Sequence, residues 1–154
     1  IGYCVNPSVV NDKDGISAAL KIAQINSELI ARGSTLLGYL DEIWNEIGYH
    51  RTEQLSIRFD ELALIPKIIS SLIAKPPITI AGLDISSFED LSKSSAPTVG
   101  LRIKCGDGVR IIVRPSGTEP KLKTYIEVIG EVKLADTLVE KIKEDFKKLF
   151  ASYS

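Results

Sequence analysis

Residues 113–123, Val-Arg-Pro-Ser-Gly-Thr-Glu-Pro-Lys-Leu-Lys, gather a guanidinium, hydroxyls, a glycine and ammonium groups between two strand-like runs. That set suits a phosphate. Arg114 offers a planar donor fork that matches two phosphate oxygens, and Ser116 and Thr118 add short neutral hydrogen bonds. Gly117 leaves the backbone free of a Cβ where an anion must come close. Pro115 and Pro120 stiffen the two ends, and a loop already shaped loses less entropy when it closes on its ligand. Lys121 and Lys123 alternate onto one strand face and supply further positive charge. Glu119 is the misfit: a carboxylate beside a dianion repels it, so this side chain is expected to turn away and pair with a lysine or brace loop amides. The competing reading is a hairpin connection whose Pro-Ser-Gly-Thr is turn chemistry with solvated charges.

A sheet must hold such a loop. Leu55, Ile57 and Phe59 alternate with polar residues, which predicts a strand over 51–59. A helix follows over roughly 62–74; Pro66 is tolerated only in a first turn, so the helix starts late. Residues 78–85 read as a strand and 86–92 as a short helical turn or loop. Val99, Leu101 and Ile103, then Val109, Ile111, Ile112 and Val113, predict a hairpin turning at Gly106-Asp107-Gly108. The strand after the loop spans 122–128. Leu134, Leu138, Ile142, Phe146, Leu149 and Phe150 mark an amphipathic helix with a lysine-rich outer face. The class is α+β: a mostly antiparallel four-stranded sheet with two helices on one face, over residues 51–154.

Residues 1–50 differ in kind. Ile16, Ala19, Leu20, Ala23, Leu29 and Ile30 recur at helical spacing and Gly33 ends that helix. Ser34 or Thr35 caps a second helix striped by Leu36, Leu37, Leu40, Ile43, Trp44 and Ile47 and stopped by Gly48. This helical hairpin has more apolar surface than it can cover, so it is expected to be the tail of a domain whose remainder lies upstream. The start, Ile1-Gly2-Tyr3-Cys4, reads as a cut end, and Met is absent from the whole chain.

At 154 residues, 44% hydrophobic and 25% charged, the chain has room for one ordinary domain, or a small one with a piece of another. A net charge of -1 gives no global attraction to nucleic acid or anionic membrane, so anion binding must be local. No run reaches the ~20 apolar residues of a membrane span. Cys4 and Cys105 lack metal-ligand spacing and are expected to be reduced thiols in a cytoplasmic protein. Asp12-Lys13-Asp14-Gly15 fails as a calcium loop, because Ser17 and Ala23 stand where Gly and Glu are wanted. His50, the only histidine, has no nucleophile at recognisable spacing and is expected at a surface or between domains. The lysines of 141–148 interleave with acidic residues, which describes a solvated helix face rather than a nucleic-acid site.

Arg114-Pro-Ser-Gly-Thr-Glu-Pro-Lys121 resembles the phosphate-binding loop in the last domain of the α-D-phosphohexomutase family, which includes phosphoglucomutases and phosphomannomutases. Asn11-Asp-Lys-Asp-Gly-Ile-Ser-Ala-Ala-Leu20 is similar to the segment opening a long helix in that family's third domain. Ile1-Gly2-Tyr3 resembles the residues just after its Glu-Glu-Ser sugar loop. The resemblance covers essentially the whole chain and implies the end of the third domain (1–50) followed by the complete, TBP-like fourth domain (51–154). It implies an isomerase moving phosphate between hexose positions 1 and 6 through a phosphoserine enzyme and a hexose 1,6-bisphosphate, which also serves as activator. Magnesium and the phosphoserine would belong to upstream domains of the same protein, leaving this piece inactive alone. By the same resemblance Arg114, Ser116, Gly117, Thr118, Lys121 and Lys123 hold the non-transferring phosphate of a phosphosugar, and Lys13 contacts substrate or transfers a proton. The alternative is a non-catalytic phosphate- or phosphosugar-binding module.

Overall fold

Strict alternation sets the architecture. In β4 (Leu101–Cys105), β5 (Val109–Pro115) and β6 (Lys121–Gly130) every second side chain is buried except at the strand ends Pro115 and Gly130, from Leu101, Ile103 and Cys105 to Leu122, Thr124, Ile126 and Val128. A period of two puts these on one face and leaves Arg102, Arg110, Arg114, Lys121, Lys123 and Tyr125 on the other. The computed structural model describes residues 4–153; Ile1, Gly2 and Tyr3, which carry part of the family resemblance, lie outside them. No described helix is long and apolar enough to cross a membrane.

The chain divides into two compact units, one ending at Ile47 and the other starting at Gly48. The first holds α1 (Gly15–Ala31) and α2 (Leu36–Ile47). Asp14 caps α1, its carboxylate accepting from the amides of Ile16 at 3.0 Å and Ser17 at 3.2 Å. At the other end Gly33 takes φ +73°, and the Ser34 and Gly33 amides return to the Leu29 and Ile30 carbonyls at 2.9 Å each. That is the left-handed closure glycine permits. Thr35 caps α2 through its hydroxyl to the Gly38 amide at 3.0 Å, resolving the choice between Ser34 and Thr35. Leu29 is buried, whereas Ile16, Leu20 and Leu37 are more than two-thirds exposed at 84%, 73% and 74%.

The second unit is α+β. Its remaining elements are β1 (Tyr49–Arg58), α3 (Leu64–Ala74), β2 (Thr79–Ile80), β3 (Leu83–Asp90), a 3₁₀ turn at Leu91–Lys93 and α4 (Val132–Ala151). Among the described residues they build one six-stranded antiparallel sheet in the order β1-β6-β5-β4-β3-β2. The expected four-stranded sheet undercounted it, and the five strand-like runs named above fall one short. The apolar run at 78–85 is interrupted by a tight turn at Ala81 and Gly82, with φ +53° and +79°, so it supplies a hairpin rather than one strand. Ala81 gives no hint of this; its unfavourable backbone is held by its amide donating to the Asp145 carboxylate of α4 at 2.7 Å. Residues 86–90 continue β3 rather than forming a loop, because a register shift between Ile85 and Ser87 breaks the alternation that would have marked them.

Both helices of this unit contribute to one core against the apolar sheet face. Helix α3 buries Ile65, Ile68, Ile69 and Leu72 and carries Pro66 in its first turn. Helix α4 buries Ala135, Val139, Ile142, Phe146 and Phe150, a stripe at three- and four-residue spacing, and its start is capped by Glu131. Each large apolar side chain removed from water contributes ~1.5–3 kcal/mol. At the core rim Arg51 of the edge strand β1 pairs with Asp136 of α4 at 2.9 Å and with Glu53 at 3.1 Å.

Candidate phosphate-binding site

The connection between β5 and β6, residues 116–120, is held at three points. The Ser116 amide donates to the Lys121 carbonyl at 2.8 Å, the Lys121 amide to the Glu119 carbonyl at 2.7 Å, and the Phe59 amide to the Pro120 carbonyl at 2.9 Å. The last bond ties the loop to the end of β1. Between these anchors the amides of Gly117, Thr118 and Glu119 and the hydroxyls of Ser116 and Thr118 have no protein partner among the described residues. They line, with Asp60, Leu62 and Pro120, an open depression of about 270 Å³. Consecutive uncommitted amides and hydroxyls form a donor set suited to an oxyanion.

Charges around the depression are sorted. Glu119 is ion-paired with Lys121 at 2.8 Å and with Arg58 at 3.1 Å. The hydrogen bond from Lys121, reinforced by the charges of Lys121, Arg58 and Lys123, holds its carboxyl below the usual carboxylate range. Asp60 puts a second carboxylate on the wall, a feature the sequence reading missed. Arg58 was missed too, although the alternation of β1 places it on the loop-bearing side, opposite Lys121.

The predicted residues fall into two groups. Ser116, Gly117 and Thr118 share the depression. Arg114 and Lys123 are direct cross-strand partners on the sheet face away from the helices, and neither lines it. The Arg114 guanidinium instead lies over Tyr125, its carbon 5.6 Å from the ring centroid and Nη2 donating to the phenolic oxygen at 3.3 Å. Lys121 is turned to Glu119. Gly117 has ordinary backbone dihedrals, and a Cβ built on it would meet nothing within 4 Å, so the fold itself does not require glycine there.

Lys13 belongs to the first unit, where its ammonium sits 3.3 Å from Asp12 with the side chain 69% exposed. His50 is half-buried, with Nδ1 3.3 Å from Glu127, a carboxylate that also takes Arg110 at 2.8 Å. Among the described residues no three or more His, Cys, Asp or Glu side chains are grouped to hold a metal ion. The carboxylates of Asp12 and Asp14 are engaged by Lys13 and by the start of α1. Among the described residues these donor sets therefore do not fit magnesium.

Residues 72–145 match the family model described as phosphoglucomutase/phosphomannomutase, C-terminal domain, a span that contains the loop. A protein named probable phosphomannomutase from Haemophilus influenzae (strain Rd) is 38% identical over 150 residues, covering 97% of this chain and 31% of the relative. A phosphoglucomutase from Staphylococcus aureus (strain MSSA476) is 31% identical over 144 residues, covering 82% of this chain and 26% of the relative. The chain belongs to the phosphoglucomutase/phosphomannomutase family. It spans less than a third of the length of the curated relatives it matches.

Proposed function

We propose that this chain is the part of a phosphohexose mutase that anchors the phosphate not being transferred. The observation that carries the reading is the anchored loop 116–120, whose amides and hydroxyls are left uncommitted beside the cationic pair Arg114 and Lys123. A phosphate seated in the depression would take the amides of Gly117 and Thr118 and the hydroxyls of Ser116 and Thr118. Arg114, resting on Tyr125, presents its remaining N–H groups to the phosphate from the adjoining sheet face. Lys123 and, once released from Glu119, Lys121 add point charges.

Anchoring the distant phosphate is the contribution such chemistry needs. Phosphoryl transfer depends on positioning and charge stabilisation more than on covalent work by the protein. A loop that grips either phosphate of a hexose bisphosphate lets the sugar present its two ends in turn. Transfer itself, through a phosphoserine and with magnesium, is assigned to parts of the protein outside this chain, and Lys13 to contact with the sugar. The free sheet face and loop support a phosphosugar as the ligand.

Titrating the chain with inorganic phosphate and with glucose 6-phosphate, followed by the amide resonances of residues 116–119, tests the reading. Saturable shifts at those amides, lost in Arg114→Ala, are expected. Unchanged affinity in Arg114→Ala would remove its basis.

A further inference from the structure

Among the strand arginines, Arg51, Arg58, Arg102 and Arg110 each have a carboxylate within salt-bridge distance. Arg114 has none among the described residues; it is held by Tyr125. We propose that Tyr125 is the positioning residue of the phosphate site, holding the Arg114 guanidinium on the open sheet face without neutralising it. The inference rests on the phosphate reading above and adds to it the residue that keeps its main cation available.

Register makes the arrangement specific. Arg114 pairs with Lys123 and Ile112 with Tyr125, so the phenol sits diagonal to Arg114, one pair further from the loop on the same face. Diagonal partners across antiparallel strands are within reach of long side chains. The ring provides a π face and the hydroxyl an acceptor, which together restrict a flexible guanidinium. A carboxylate at this position would fix Arg114 more firmly, as Glu89 does Arg102 and Glu127 does Arg110, but would compete with an incoming phosphate for the same donors. An aliphatic residue would leave Arg114 free to scatter, and the entropy of ordering it would weaken binding. An uncharged aromatic with one acceptor meets both demands. Backbone geometry adds a second constraint on Arg114: Gly100, at φ +154°, lies so close that a Cβ there would stand 3.1 Å from the Arg114 Cβ.

The test compares Tyr125→Phe, Tyr125→Leu, Tyr125→Glu and Arg114→Ala in the full chain, titrated with inorganic phosphate and read by NMR. Wild type should show the Arg114 side-chain δ protons shifted upfield by the ring current, and Tyr125→Leu should abolish that shift without lowering the melting temperature. Phosphate affinity should fall roughly tenfold in Tyr125→Leu, a few-fold in Tyr125→Phe, and furthest in Tyr125→Glu, where a new ion pair occupies the guanidinium. Adding Tyr125→Leu to Arg114→Ala should cause no further loss. Wild-type affinity in Tyr125→Leu and Tyr125→Phe, with Arg114→Ala still impaired, would overturn the role of Tyr125 and leave the phosphate reading standing. Wild-type affinity in Arg114→Ala would overturn both.

Discussion

Arg58 and Lys121, direct partners across β1 and β6, converge on one carboxylate, that of Glu119. The loop is thereby fastened to two strands by charge as well as by backbone. Because Glu119 titrates below the ordinary carboxylate value in the folded chain, its stabilising contribution is complete above the unfolded-state pKa and disappears as pH falls through the folded one. Protection of the Ser116 amide, which donates to the Lys121 carbonyl, taken relative to intrinsic exchange at each pH, should therefore fall on acidification from about pH 5 to about pH 3. Glu119→Gln should show the reduced Ser116 protection at every pH and lose the dependence, and an unchanged acid profile in that variant would show that other carboxylates govern the loop.

Gly117 offers a clean separation of folding from binding. Its Cβ would enter open space and its φ is not left-handed, so Gly117→Ala should unfold within about 0.5 kcal/mol of wild type. Phosphate affinity should nevertheless drop roughly tenfold if the anion lies against this backbone, since a methyl group would hold it off. Denaturant melts and phosphate titration of the same sample decide the matter; equal affinity would place the anion elsewhere.

Gly100 is the opposite case. At φ +154° a Cβ would meet the Val113 carbonyl at 2.8 Å as well as Arg114, and those neighbours are backbone and a strand Cβ that cannot rotate away. Gly100→Ala should destabilise the second unit by ~1–3 kcal/mol and move the end of β5 that carries Arg114. Chemical denaturation measures the first effect. Amide shifts centred on residues 113–116 report the second, and their absence would show that the strain is absorbed on the β4 side.

Thr124 is fully buried on the helix-facing side of β6, and its hydroxyl finds no hydrogen-bond partner among the described residues. An unsatisfied buried hydroxyl opposes folding. Thr124→Val keeps the branched shape and should raise stability by about 1 kcal/mol, seen as a higher denaturation midpoint at constant slope. A loss of stability would mean that the hydroxyl is satisfied in solution.

Periodicity made β4, β5, β6, α3 and α4 readable from their side chains alone, because one face of each is apolar and the other polar. It failed where local chemistry was disguised. Ala81 occupies a left-handed turn position that Gly or Asn would have announced, and its stabilising partner, Asp145, is far along the chain. The bulge at Ile85 to Ser87 hid the second half of β3. The loop residues Ser116, Gly117 and Thr118 were legible as a motif, since contiguous sequence encodes them. Arg58 and Tyr125 were not, because they come beside Lys121 and Arg114 only through cross-strand pairing that a linear reading had not fixed, and Asp60, just past the end of β1, belongs to no motif.

The strand β1 forms one border of the sheet over ten residues, long enough to tempt another polypeptide to add itself there. Arg51 and Glu53 stand at inward positions of that border, and Arg51 is tethered both to Glu53 and to Asp136 of α4. An intruding strand would have to seat its own apolar row beside this ionic knot, or tear it apart. The same cluster that finishes the hydrophobic interior thus acts as a guard against fibril-like stacking, and its removal by Arg51→Leu would be felt first as self-association rather than as unfolding.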